Sequence, residues 1–192
     1  MAEPFLAKPK EAFDDLIGGI RAKRTGSPYI IYGHSMGALM GIDVAASLEK
    51  QDDPPLQLMV SGHAGPGTGS IRNWHLMTDD DLVEKLKELG GIPEEIFDNR
   101  ELLDYFLPIL RSDFQLVDAI YQLPPSHTVI NAPIIALMGT EEKKSEKIRN
   151  WSGYTKKGAT TRLLPGGHFF IHNQAKTIAA LLNSSFEQSR VW

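Results

Sequence analysis

The sequence contains no cysteine. Disulfides, thiolate metal sites and a thiol nucleophile are therefore excluded, and a reducing compartment is compatible with the composition. No apolar run approaches the ~18 residues needed to cross a bilayer, so no membrane association is expected. The stretch from Met1 to Lys10 has no apolar core followed by a cleavage site. It does not read as a signal peptide, and a cytoplasmic location is expected. Positive charge is not in excess: 20 basic and 24 acidic side chains leave a net charge of −4. That balance argues against nucleic acid as a partner. Repeats and low-complexity tracts are missing too. His168 and His172 stand four residues apart but lack a nearby acidic ligand, so no metal site is expected.

What remains is 192 residues, 42% hydrophobic and 23% charged, the profile of an ordinary globular chain. Residues 1–192 are read as one domain with a sizeable core. Residues 9–24 predict an amphipathic helix, with Phe13, Leu16, Ile17 and Ile20 at helical spacing. Residues 29–32 and 56–60 are short apolar runs, the pattern of strands buried on both faces. Residues 38–50 between them predict a helix. A glycine-rich loop covers 61–70. A helical insertion follows over about 72–125. Its first helix is capped by Thr78 or Asp79 and stopped by Gly90-Gly91, and a short one starts at Pro93. Residues 99–121 carry an apolar face interrupted by Pro108. A proline mid-helix costs ~3 kcal/mol, so two helices are expected there. Strands return at 133–138 and 160–164, and a last helix spans 174–186. The alternation predicts an α/β fold with a parallel sheet of about four strands and helices on both faces.

Gly33-His34-Ser35-Met36-Gly37 fits G-x-S-x-G. The pentapeptide alone is weakly specific. It gains weight because it follows a strand and precedes a helix, where a sharp turn exposes a serine at the helix N-terminus. Flanking glycines remove side chains that would collide in that turn. Backbone N–H groups and the helix dipole favour negative charge there, and Met36 N–H is the natural oxyanion donor.

A serine needs a base. His168 is the best candidate, because it follows the last strand in the loop Pro165-Gly166-Gly167-His168. Catalysis in open α/β sheets sits at that carboxyl edge. His34 lies within the turn and flanks the site. His63, His75 and His127 are loop residues with no strand-end logic. The orienting acid should come between serine and histidine in the chain. No carboxylate occurs from Pro54 to Thr78, so the acid falls to the loop after the third strand, with Glu142 the first choice and Glu141 the second. Asp79, Asp80, Asp81, Asp98, Asp104 and Asp113 read as caps and solvated helix faces.

With these residues in hand, the chain resembles the stand-alone (type II) thioesterases of polyketide and non-ribosomal peptide assembly lines, within the α/β-hydrolase superfamily. Gly33-His34-Ser35-Met36-Gly37-Ala38 matches the nucleophile motif, and Ser61-Gly62-His63-Ala64-Gly65-Pro66 is similar to the loop after the next strand. Leu89-Gly90-Gly91-Ile92-Pro93 and Leu107-Pro108-Ile109-Leu110-Arg111-Ser112-Asp113-Phe114 resemble the lid. Gly166-Gly167-His168-Phe169-Phe170-Ile171 matches the histidine loop.

The resemblance implies a cofactor-free hydrolase acting on acyl thioesters of phosphopantetheine held by acyl or peptidyl carrier proteins. It also implies a lid whose Leu103, Phe106, Leu107, Leu110 and Phe114 line an acyl pocket. The bland reading of those five positions is a core-facing stripe. The family usually has aspartate where Glu142 aligns. It also carries N-terminal strands and a glycine-rich loop with a second oxyanion donor, and this chain begins past them. Losing one such donor costs roughly 10²–10³ in turnover. The strand at 29–32 would then be an apolar sheet edge, which self-associates, is covered by the N-terminal helix, or marks a fragment that folds poorly. The competing functions are a generic carboxylester hydrolase and a truncated, weakly active or inactive homologue that binds a carrier protein.

Overall fold

The computed structural model describes residues 5–124 and 128–188. The reading of His127 as a loop residue lies outside the described residues. Cα packing divides the chain into two compact units, a helical one containing residues 70–124 and a sheet one containing residues 15–69 and 128–188.

The sheet unit is built on four parallel strands in the order β1 (Ile30–His34), β2 (Gln57–Ser61), β3 (Ile134–Gly139) and β4 (Ala159–Leu164). Register pairs His34 with Ser61, and Ser61 with Leu137, so the carboxyl ends of the strands are level. β2 is buried along its whole length, in keeping with the apolar Leu58-Met59-Val60 at its centre. Alternate strand residues feed two cores. Leu58, Val60, Ile134, Ala136 and Met138 pack with Ala38, Ile42, Ala45 and Ala46 of α2 (Met36–Glu49), and with Ile148 and Trp151. The small residues of α2 let it approach the sheet closely. On the other face Met59 and Leu137 meet Phe170 and Ile178, the latter from the last helix, Ala175–Gln188. Each fully buried Leu, Ile or Met is worth roughly 1.5–3 kcal/mol.

Between β3 and β4 the connection is a 3₁₀ helix, Ser145–Tyr154. Its Trp151 donates through Nε1 to the carbonyl of His63 at 2.8 Å, and Asn150 Nδ2 and Tyr154 Oη donate to the carbonyl of Pro66. The glycine-rich loop after β2 is therefore stapled down.

β1 is an edge strand. It pairs with β2 and packs on α2, α1 (Pro9–Lys23) precedes it in the chain, and Tyr32 is 38% exposed.

In the helical unit, α3 (Asp79–Leu89) is capped by Thr78, whose Oγ1 accepts from Asp81 N–H at 3.2 Å. The short α4 (Glu94–Phe97) follows Pro93. α5 (Arg100–Gln122) is one continuous helix with Pro108 inside it, where the sequence predicts two. Leu107 is 4% exposed, and with the partly buried Leu103, Leu110 and Phe114 it packs against the buried Leu82 and Leu86 of α3. Burying that unbroken stripe outweighs the ~3 kcal/mol penalty of an interior proline. Asp118 of α5, only 2% exposed, accepts the N–H groups of Arg72 and Asn73 at 2.8 Å each. That buried carboxylate fastens the start of the unit to α5.

Candidate active site

Ser35, Glu142 and His168 all belong to the sheet unit. Between β1 and α2, Ser35 has φ 53° and ψ −111°. Such a conformation costs a non-glycine residue on the order of 1–3 kcal/mol. It is held by Ser35 N–H donating to the Ser61 carbonyl at 2.8 Å, and by α2 packed behind it. The two motif glycines differ in role. A Cβ on Gly33 would lie 2.2 Å from the Gly37 carbonyl oxygen, so position 33 admits only glycine. A Cβ on Gly37 would meet nothing within 4 Å, so the expected collision is absent there. Met36 is the first residue of α2, and a first-turn N–H has no partner inside its helix.

His168 follows β4. The loop leaves the strand at Pro165, turns through Gly166 at φ 122°, and is anchored by Phe170, which is 2% exposed among Met59, Leu137 and Ile178. His168 Nε2 lies 2.9 Å from Ser35 Oγ. Its Nδ1 lies 2.8 Å from Glu142 Oε2. The other carboxylate oxygen of Glu142 accepts the Gly139 N–H at 2.8 Å. The Glu142 side chain is 7% exposed and that of His168 19%. A nearly dry carboxylate on one imidazole nitrogen fixes the tautomer, leaving the other nitrogen to accept from the hydroxyl.

The structure thus brings Ser35, His168 and Glu142 together. Glu141 is exposed and makes its backbone contact with Gly166 instead. His63 accepts from Gly65 N–H, and His172 stacks on Phe169. Within the helical unit, His75 lies 3.2 Å from Asp118. Leu103, Leu107, Leu110 and Phe114 are gathered in that unit's own core. Phe106 is partly buried against Tyr105. No cluster of three metal-ligating side chains occurs among the described residues.

A second group was not singled out by sequence reasoning. Ser61 Oγ lies 2.8 Å from both Tyr32 Oη and His34 Nδ1. The His34 ring stands 5.0 Å from that of His168, centroid to centroid. The available signal was the two-residue spacing of Tyr32 and His34, which places both on one face of β1.

A family model described as the thioesterase domain matches residues 2–186, nearly the whole chain. The chain is 30% identical over 146 residues to a probable cadicidin biosynthesis thioesterase of Streptomyces griseus, covering 75% of this chain and 40% of that protein. It is 30% identical over 149 residues to the gramicidin S biosynthesis protein GrsT of Aneurinibacillus migulanus, covering 76% and 57%. It therefore spans about half the length of these relatives. Among solved structures, the type II thioesterase BorB from the borrelidin biosynthetic cluster superposes with a TM-score of 0.81 at 28% identity, covering 94% of this chain and 74% of that one. The chain belongs to the thioesterase domain family.

Proposed function

We propose that this thioesterase-family chain hydrolyses acyl groups from the phosphopantetheine thiol of an acyl or peptidyl carrier protein, in non-ribosomal peptide or polyketide biosynthesis. The observation that carries the reading is the unbroken line from Glu142 through His168 to Ser35, with links of 2.8 and 2.9 Å. The substrate class is supported by the biosynthesis proteins to which the chain is similar.

Ser35 Oγ attacks the thioester carbonyl while His168 Nε2 takes its proton. Glu142 holds the ring and stabilises the imidazolium. Met36 N–H, at the positive end of α2, stabilises the oxyanion. The imidazolium returns its proton to the departing thiolate. His168 then takes a proton from water as the water oxygen attacks the acyl-serine, and returns it to Ser35 Oγ as the acyl–oxygen bond breaks, freeing the acid and restoring the serine hydroxyl. No step calls for a cofactor, because the activated thioester arrives with the substrate. The proposal treats residues 1–192 as one catalytic domain with its helical segment as an insertion, acting in the cytoplasm. It includes self-association through the open edge of β1.

The test compares hydrolysis of an acyl group on a phosphopantetheinyl carrier protein with hydrolysis of the matched oxygen ester. The proposal expects thioester turnover that Ser35→Ala reduces at least 10³-fold. Turnover retained by that variant contradicts it. Activity on the oxygen ester alone favours a carboxylester hydrolase.

A further inference from the structure

The scheme above leaves the Tyr32, Ser61 and His34 chain without a role. Ser61 has no exposed surface, and its single hydroxyl stands between a phenol and an imidazole. It carries one proton and so donates to only one of them. The phenol is the more acidic donor and the imidazole nitrogen the more basic acceptor. Tyr32 therefore donates to Ser61, and Ser61 donates to His34 Nδ1. The proton of the neutral ring is then left on Nε2.

That Nε2 is buried and has no hydrogen-bond partner among the described residues. Aromatic rings adjoin the His34 ring, Phe169 at 5.8 Å and Phe170 at 6.2 Å centroid to centroid, the latter edge to face. On another side Gly62 forms the wall at φ 65°, and a Cβ there would fall 2.5 Å from His34 Cε1. The ring is thus boxed in by the glycine of one motif and the aromatics of another, and it adjoins the His168 ring at 5.0 Å.

We propose that His34 is a positioning residue: a neutral imidazole, locked in one tautomer by Tyr32 and Ser61, against which His168 is set for its contact with Ser35. The inference rests on His168 being the base. A charged ring at this place would oppose the imidazolium formed during catalysis, whereas a neutral one does not. Burial pushes the His34 pKa down to about 4, with the neighbouring His168 the next cause. Glu142 pulls it back up and His172 pushes it further down.

The experiment uses the full chain labelled with ¹⁵N-histidine. The spectrum of the unaltered protein at pH 7 is expected to show His34 protonated on Nε2 and bare on Nδ1. Ser61→Ala and Gly62→Ala are expected to lower kcat about tenfold with KM unchanged. They are also expected to move the downfield proton resonance of the His168 Nδ1–H, which reports its bond to Glu142. Tyr32→Phe is expected to act in the same direction, less strongly. A proton on His34 Nδ1 in the unaltered protein overturns the proposal, and so does an unchanged kcat in both Ser61→Ala and Gly62→Ala. Failure of the catalytic reading itself shows differently, as hydrolysis retained by Ser35→Ala whatever the His34 spectrum.

Discussion

A Cβ on Gly139 would stand 2.3 Å from the carbonyl oxygen of Gly166. The end of β3 and the loop after β4 are that close because both must converge on one imidazole. Gly139 also donates its N–H to Glu142, and Glu141 donates its N–H to the Gly166 carbonyl. The two loops carrying Glu142 and His168 are thus joined through backbone.

Gly139→Ala is therefore expected to push the loops apart. A forced methyl in a packed position costs typically 1–3 kcal/mol. The expected outcome is a loss of that order in stability by denaturant unfolding, together with at least a tenfold fall in kcat. Gly37→Ala serves as the control, since its Cβ has open space. Equal damage from both would refute the steric account.

Glu142→Gln should keep the fold and lose the charge that holds His168. Loss of the charge on a triad acid lowers kcat by roughly 10⁴ where the tautomer is reversed. A fall of about 10²–10⁴ in thioester hydrolysis is expected, with KM little changed. Glu141→Gln, on an exposed side chain, should stay within about twofold. The reverse ranking would move the acid to Glu141.

His34 gives stability a pH dependence. Its pKa is about 4 in the folded chain against 6.5 as a free group, mainly through burial. The unfolded state therefore binds the extra proton first, and stability rises with pH across the window. The contribution is complete above about pH 6.5 and is lost as pH falls towards 4. After allowance for partial solvent contact it is on the order of 2 kcal/mol. Urea unfolding at pH 7 and pH 4.5 should show the loss in the parent and a smaller one in His34→Phe. A parent no less stable at pH 4.5 would contradict it.

The exposed edge of β1 offers unpaired backbone groups beside Ile30, Ile31 and Tyr32. Such edges template association. Size-exclusion chromatography with light scattering is expected to show a mass that rises with concentration. A strict monomer at all concentrations removes self-association from the account.

Much of this was legible in the sequence. Largely apolar stretches at 29–32, 56–60 and 133–138 marked three strands, most plainly β2 and β3, which are buried along nearly their whole length, whereas the strand at 160–164 carries Thr160, Thr161 and Arg162 and is partly exposed. That Ser35, His168 and Glu142 come together was legible from strand-end position, a property of chain order alone. Pro108 misled, because a local penalty is visible in sequence whereas the Leu82, Leu86 and Leu107 core that outweighs it is not. The Ser145–Tyr154 helix was legible only as a connection, since 3₁₀ structure has no apolar period of its own. The Tyr32, Ser61 and His34 chain stayed hidden because it depends on the register between β1 and β2, which no single stretch encodes.

The central claim is that Ser35 is reactive because His168 and Glu142 make it so. Labelling with a fluorophosphonate, followed by peptide mass spectrometry, tests it most directly. The account predicts one modified residue, Ser35, and loss of labelling by at least 10²-fold in His168→Ala with the fold retained. Absence of the label from Ser35, or labelling as fast in His168→Ala as in the parent, would contradict it.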